Sequence, residues 1–209
     1  MDEPASAAAT LIVLLPGAYI APGDFAAHGF LALAAQRHPA PDLLAADFDL
    51  ASIADATALS RLRAEILTPA RQRGYRRIWL AGISLGGLLA LCQCADHPGE
   101  IDGLCLLSPY PGSRLTARCI ANAGGLARWQ PTAEQWRDPE FRVWHWLRDP
   151  PAALPVFIAY GRADRFVDGM TRLAACFPAA DRQVLDGGHD WPVWRQSWQN
   201  FLLSPVFAA

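Results

Sequence analysis

The sequence predicts an α/β fold in which helices cover both faces of a doubly wound, mainly parallel six-stranded sheet. Two observations favour this architecture: short apolar runs alternate with helical patterns, and most of these runs are apolar at nearly every position. A continuous apolar run is typical of a strand that is buried on both faces, as in parallel sheets. Because 209 residues suffice for one core of ordinary size, we expect residues 1–209 to form a single domain.

Hydrophobic patterns assign the individual elements along the chain. The predicted strands are Leu11–Leu15, Leu43–Phe48, Ile78–Ile83, Leu104–Leu107, Val156–Tyr160 and Arg182–Leu185. The predicted helices between and after them are Phe25–Arg37, Ser52–Arg73, Leu85–Ala95 and Trp191–Leu203. Ser52 and Asp55 have the spacing of a capping box, which favours a helix beginning there.

The segment 109–155 interrupts this alternation. It contains no clear strand pattern, and it is rich in arginine and in tryptophan, with Trp129, Trp136, Trp144 and Trp146. A long excursion between sheet strands usually has helices of its own and often serves as a functional loop. We therefore predict a short helical lid insertion; the alternative is a helical insertion whose tryptophans only pack on the body.

Charge and cysteine content exclude several classes of protein. The formal net charge of -2 leaves no excess of positive charge to neutralise a phosphate backbone, so we expect no nucleic-acid partner. The five cysteines are odd in number and lie mostly in apolar runs, which favours free thiols in a reducing compartment over disulfides. Their spacing does not fit a zinc site, and we expect no metal.

The N-terminal stretch lacks the features of a secretory signal. Residues 4–23 carry no charge, but Asp2 and Glu3 stand where a signal peptide has positive charge. Pro16 and Gly17 interrupt the apolar run too early for a membrane span. We therefore expect a cytoplasmic protein without a transmembrane segment.

A Gly-Ile-Ser-Leu-Gly motif at residues 82–86 lies between a predicted strand and a predicted helix. A sharp turn there would lift the hydroxyl of Ser84 above the sheet, and small residues at both ends would let the strand and helix approach closely. The motif alone is also compatible with an ordinary glycine-rich turn. Its position between strand and helix is what favours a nucleophilic serine.

This arrangement resembles the nucleophile elbow of the α/β-hydrolase superfamily, in which an acid and then a histidine follow the serine along the chain. The run from Val156 ends in a glycine and then Asp164, as in that superfamily, and Asp168 and Glu140 are less well placed. After the last predicted strand, a Gly-Gly pair precedes His189. The resemblance implies that Ser84 is the nucleophile, His189 the base and Asp164 the acid that orients the histidine.

The resemblance also implies two backbone donors for an oxyanion. One is the N–H of Leu85, directly after the serine, and the other is the N–H of Ala18, in a loop that resembles the family's His-Gly-x loop. Tyr19 is the second choice for that donor. The acyl pocket would then be lined by Tyr19, Trp136 and Trp144.

The resemblance covers most of the chain but implies a trimmed fold. The first predicted strand already carries the oxyanion loop, so the family's first two strands have no counterpart here. We therefore expect a trimmed, wholly parallel sheet whose edge at Leu43–Phe48 needs protection, with a homodimer as one means.

The implied activity is that of a serine hydrolase that cleaves a small carboxylic ester or thioester without a cofactor. The two substrate classes would share the same residues, so the sequence does not separate them. A lyase or an acyltransferase on the same fold is an alternative, as is a binding protein without catalytic activity.

Overall fold

Six parallel strands form a single sheet in the order β2-β1-β3-β4-β5-β6. A computed structural model of the chain describes residues 10–49, 52, 57–177 and 179–208. The strands are β1 Thr10–Leu15, β2 Asp42–Ala45, β3 Arg77–Ile83, β4 Gly103–Leu107, β5 Val156–Gly161 and β6 Asp181–Leu185. The predicted parallel six-stranded sheet is therefore confirmed, although β2 ends at Ala45 and not at Phe48.

Helices cover both faces of this sheet. They are α1 Pro22–Ala27, α2 Phe30–Ala34, α3 Thr57–Arg61, α4 Thr68–Gln72, α5 Leu85–Asp96, α6 Arg114–Asn122, α7 Pro139–Trp146, α8 Val167–Ala175, α9 Trp191–Leu203 and α10 Pro205–Ala208. A π-helical segment, Leu62–Leu67, joins α3 to α4, and a short 3₁₀ helix, Gln135–Arg137, precedes α7.

The core is divided by the sheet into two apolar layers. Alternate residues of each strand face opposite sides, so Leu80 of β3 packs in the layer covered by α3 to α8, and Trp79 packs in the layer covered by α1, α2 and α9. Every residue of β4 and β5 is buried. This two-sided burial is the physical reason for the continuous apolar runs in the sequence.

Two predicted helices differ from the structure. The helix predicted over Phe25–Arg37 is split into α1 and α2, because Gly29 between them adopts a left-handed backbone with a φ of 82°. In the described part of the chain, the helix predicted over Ser52–Arg73 is continuous from Thr57 and passes through the π-helical segment. The predicted capping box includes Asp55, which lies outside the described residues.

The segment 109–155 contains α6, the 3₁₀ helix and α7. Its helix α7 is tied to the C-terminal end of α5 by Arg142, whose Nε and Nη2 each donate to a carboxylate oxygen of Asp96 at 2.9 Å. Both side chains are about four-fifths buried, and a bidentate pair of this kind fixes orientation as well as distance. The insertion is therefore anchored to the helix that follows Ser84.

The cysteines are free thiols, and three of them, Cys92, Cys94 and Cys105, are buried. Burial raises the pKa of Cys92 to about 12, so this thiol is protonated at neutral pH. Across the described ranges, no helix combines the length and the apolar composition that crossing a membrane requires. Asp2 and Glu3 lie outside the described residues, and the homodimer stays a prediction.

Candidate active site

Ser84 lies at a sharp turn between β3 and α5. Its φ of 52° and ψ of -112° are outside the regions that a serine normally adopts, and strain of this kind costs about 1–3 kcal/mol. A Cβ atom on Gly82 would lie 2.3 Å from the backbone oxygen of Gly86, and one on Gly86 would lie 2.1 Å from the oxygen of Leu15. Only glycine fits at both positions, which explains why the motif has glycine at its ends.

The backbone around Ser84 joins three neighbouring segments. Its N–H donates to the oxygen of Leu107 at 3.1 Å, and its own carbonyl accepts from the N–H of Tyr110 at 2.8 Å. The side chain lines a cavity of about 1160 Å³. The serine is thus held above the carboxyl edge of the sheet, where side chains from several loops converge.

The structure brings Asp164 and His189 into direct contact. Nδ1 of His189 lies 2.6 Å from Oδ2 of Asp164, and the other carboxylate oxygen, Oδ1, accepts the N–H of Phe166 at 2.9 Å. The two loops are joined by the N–H of Ala163, which donates to the oxygen of Gly187 at 2.9 Å. The carboxylate of Asp164 is fully buried and the imidazole of His189 is 16% exposed. A buried carboxylate needs such partners, because an unpaired one would be strongly disfavoured.

Two aromatic rings enclose the imidazole of His189. Phe166 meets it edge to face with ring centroids 5.6 Å apart, and Trp194 does so at 5.2 Å. Phe166 also lines the cavity that contains Ser84. Phe166 therefore contacts both Asp164 and His189 and also borders the cavity that Ser84 lines.

The two predicted oxyanion donors border the same cavity. Ala18 and Leu85 are both among its lining residues. The loop that holds Ala18 passes close to the serine, because a Cβ atom on Gly17 would lie 3.2 Å from Cβ of Ser84. As the first residue of α5, Leu85 has an N–H without an acceptor inside the helix, at the end where the helix dipole favours negative charge.

The predicted pocket residues are placed differently. Tyr19 is 94% exposed, and Trp136 is 46% exposed and meets His145 edge to face. Neither borders the Ser84 cavity. At the 3₁₀ turn, Gln135 and Arg137, on either side of Trp136, line that cavity instead. Trp144 is buried and donates its Nε1–H to the oxygen of Pro111 at 2.8 Å, in the wall of a neighbouring cavity.

Apolar residues that sequence reasoning missed form the wall in their place. They are Leu88, Tyr110, Leu115, Phe141 and Phe166. The sequence contained a signal for two of these residues. Tyr110 and Phe166 come shortly after the carboxyl ends of β4 and β5, just as Ser84 comes directly after β3. Residues at those ends meet at one edge of a parallel sheet.

The two acids that the sequence offers besides Asp164 have different surroundings. Asp168 lies exposed on α8, and Glu140 accepts the N–H of Ser113 and the hydroxyl of Thr116 through Oε2, each at 2.7 Å. Glu140 thereby joins α7 to the loop before α6. Among the described residues, no cluster of three or more His, Cys, Asp or Glu side chains could hold a metal ion.

Solved structures with the same architecture come from several organisms. Est1E from Butyrivibrio proteoclasticus is 16% identical with a TM-score of 0.68, covering 96% of this chain and 89% of its own. The fluorophosphonate-binding serine hydrolase FphF from Staphylococcus aureus is 14% identical with a TM-score of 0.67, covering 98% and 86%. A thioesterase domain from the curacin biosynthetic pathway is 14% identical with a TM-score of 0.63, covering 93% and 90%. At these identities the likeness shows the fold.

Sequence comparison identifies the family. No protein with a curated description matches this chain significantly. The model of the alpha/beta hydrolase family, in contrast, matches residues 12–204, which is nearly the whole chain. Together with the parallel sheet and the sharp turn at Ser84, this match shows that the chain belongs to the alpha/beta hydrolase family.

Proposed function

We propose that the protein is a serine hydrolase that cleaves a carboxylic ester or a thioester through an acyl-enzyme intermediate. The observation that carries this proposal is the 2.6 Å contact between His189 and the buried Asp164, next to the cavity that contains the strained Ser84. A serine hydroxyl attacks a carbonyl only when a base removes its proton, and a histidine held by a carboxylate is such a base.

In the proposed reaction, Nε2 of His189 takes the proton of the Ser84 hydroxyl while Oγ bonds to the carbonyl carbon. Asp164 keeps the proton on Nδ1 and stabilises the imidazolium. The negative oxygen of the tetrahedral intermediate accepts from the N–H groups of Leu85 and Ala18. His189 then protonates the departing alcohol or thiol. Water repeats these steps on the acyl-enzyme, releasing the carboxylic acid and restoring Ser84.

We infer that the segment 109–155 covers this site. Leu115 and Cys119 of α6 and Phe141 of α7 border the Ser84 cavity, and the pairing of Arg142 with Asp96 holds α7 over α5. A cover of this kind excludes water and strengthens electrostatic interactions in the site. The fluorophosphonate binding of FphF and the thioesterase description of the curacin domain support a serine enzyme and leave both substrate classes open.

The test is covalent labelling. A fluorophosphonate probe should modify Ser84 once and stop hydrolysis of p-nitrophenyl acetate, and Ser84→Ala should lose both labelling and turnover. Ser108→Ala is the matched control, because Ser108 is also buried, has a φ of 45° and follows a central strand. It should keep both properties. Labelling at Ser108, or full activity in Ser84→Ala, would disprove the proposed nucleophile, and intact folding without any labelling would favour a binding protein.

A further inference from the structure

A second cavity lies next to the one that contains Ser84. Its volume is about 700 Å³, within the range of small-molecule sites. It lies between α6 and α8, with residues of the loop after β4 along its base. We name it the side cavity.

Two aromatic rings and Arg165 lie where the side cavity meets the catalytic cavity. Tyr110 and Phe166 line both, and their rings meet edge to face with centroids 5.4 Å apart. Phe166 is also the residue that donates to Asp164 and packs on His189. The side cavity therefore begins directly behind the aromatic wall of the proposed catalytic residues.

The two cavities differ in the chemistry of their linings. The catalytic cavity is bordered along residues 134–140 by charged side chains, namely Glu134, Arg137, Asp138 and Glu140. The surface of the side cavity is mostly apolar, with small or hydrocarbon side chains at Ala117, Ile120, Ala121, Leu126, Trp144 and Ala175. Its charged residues, Arg114, Arg165, Asp168 and Arg172, are all exposed.

Two features indicate space for an extended chain along an apolar wall. Ala117 and Ala121 are four residues apart on α6 and so share one face, where their short side chains leave room beside the helix. Burial raises the pKa of Cys176, at the opposite wall, to about 11, and burial is also the main reason that the pKa of Tyr110 is raised. A thiol in such a wall stays protonated and acts as an apolar surface.

We propose that the side cavity binds an unbranched hydrocarbon chain of the substrate. This inference rests on the proposed function, because the chain would pass Tyr110 and Phe166 from an ester or thioester group held at Ser84. Each methylene removed from water gains about 0.8 kcal/mol. A hydrocarbon chain gains this in the apolar side cavity, whereas along residues 134–140 it would displace water from charged groups.

The first experiment measures binding without turnover. Methyl ketones from 2-pentanone to 2-undecanone are titrated by calorimetry into Ser84→Ala protein, which does not need to react. Affinity should rise about fourfold with each added methylene until the cavity is full. Adding Ala121→Phe fills the cavity and should abolish this rise. Adding Asn122→Phe, at an exposed neighbouring position that does not line the cavity, should preserve it.

Affinities that do not depend on chain length would overturn the proposal, as would a rise that Ala121→Phe leaves unchanged. Melting temperatures establish that each variant is folded. Should Ala121→Phe not fold, Ala117→Leu occupies the same face of α6 with a smaller side chain and carries the same expectation.

The second experiment identifies which half of the substrate the cavity takes. kcat/KM is measured for p-nitrophenyl esters of increasing acyl length and for alkyl acetates of increasing alcohol length. Ala121→Phe should lower kcat/KM for the long members of one series and leave the shortest esters unchanged; an equal loss at every length in both series contradicts the proposal. Chain-length-dependent ketone binding without turnover of either esters or acyl thioesters would refute only the proposed hydrolase. Turnover without dependence on chain length would refute only the side cavity.

Discussion

The carboxylate of Asp164 contacts the imidazole of His189 at 2.6 Å, although the two residues are 25 positions apart in the sequence. The second oxygen of the same carboxylate accepts the N–H of Phe166, whose ring packs against the imidazole. Asp164 is thus held by its own loop and in turn holds His189. This arrangement determines which proton position and which ring orientation the histidine adopts.

Replacing the carboxylate should therefore remove activity. We expect Asp164→Asn to lower kcat by orders of magnitude, about 10⁴-fold in a well-studied triad, because an amide does not hold the required tautomer of His189. Steady-state kinetics with p-nitrophenyl acetate measures this loss. Asp168→Asn, on the exposed surface of α8, should retain wild-type kcat. Should Asp168→Asn prove the damaging change, Asp164 is the wrong acid.

The backbone strain at Ser84 should be measurable as a difference in the free energy of unfolding between two inactive variants. Glycine adopts a φ of 52° more readily than alanine, so Ser84→Gly should be more stable than Ser84→Ala by about 1–2 kcal/mol in denaturant unfolding. Ser197, buried within α9, is the control. At this position the alanine variant should be more stable than the glycine variant by about 1 kcal/mol, because glycine is unfavourable in a helix. Equal stability of the two Ser84 variants would mean that the turn is unstrained.

The backbone contacts at Gly86 are so close that adding one carbon atom there should lower the free energy of unfolding. In Gly86→Ala the new Cβ would meet the oxygens of Leu15 and Pro16 at 2.1 Å and 2.7 Å, so helix α5 would have to move. We expect a loss of about 3 kcal/mol or more in the free energy of unfolding. Gly23→Ala, in helix α1 where a Cβ meets nothing within 4 Å, should not lower it, because alanine is more favourable than glycine in a helix. A mild effect at Gly86 would show that the turn adapts.

The pair formed by Arg63 and Glu100 should contribute stability that depends on pH. Hydrogen bonding from Arg63 lowers the pKa of Glu100, with a smaller contribution from Gln93. A carboxylate with a lowered pKa stabilises the folded state above its unfolded pKa, and this contribution disappears as the pH falls through the folded value.

Glu100→Gln should therefore be less stable than the wild type at pH 7, by no more than about 1 kcal/mol since both side chains are over a third exposed. The difference should vanish at acidic pH. Unfolding curves between pH 3 and pH 7 measure this difference in stability. Combining Arg63→Met with Glu100→Gln tests whether the loss at Glu100 depends on the presence of Arg63. A difference that stays constant across this range contradicts the assignment to ionisation.

Much of the fold follows from local pattern. The predicted strands that are apolar at every position became buried strands inside the sheet, since a strand in the middle of a parallel sheet has both faces removed from water. The helix predicted over Trp191–Leu203 has the observed boundaries, helped by Asp190, whose side chain caps its N-terminus. The break at Gly29 was not predicted, because an isolated glycine can lie within a helix or end one.

The sequence by itself determined the succession of the six strands along the chain and the candidate roles of Ser84, Asp164 and His189, because strand patterns, glycines and motif order are local properties of the chain. The tertiary structure alone decided which side chains border the cavities. Trp136 points to the surface while Phe166 and Tyr110 form the wall. Which face a residue of an irregular segment presents depends on packing between distant helices and loops, and no periodicity in the sequence records that packing.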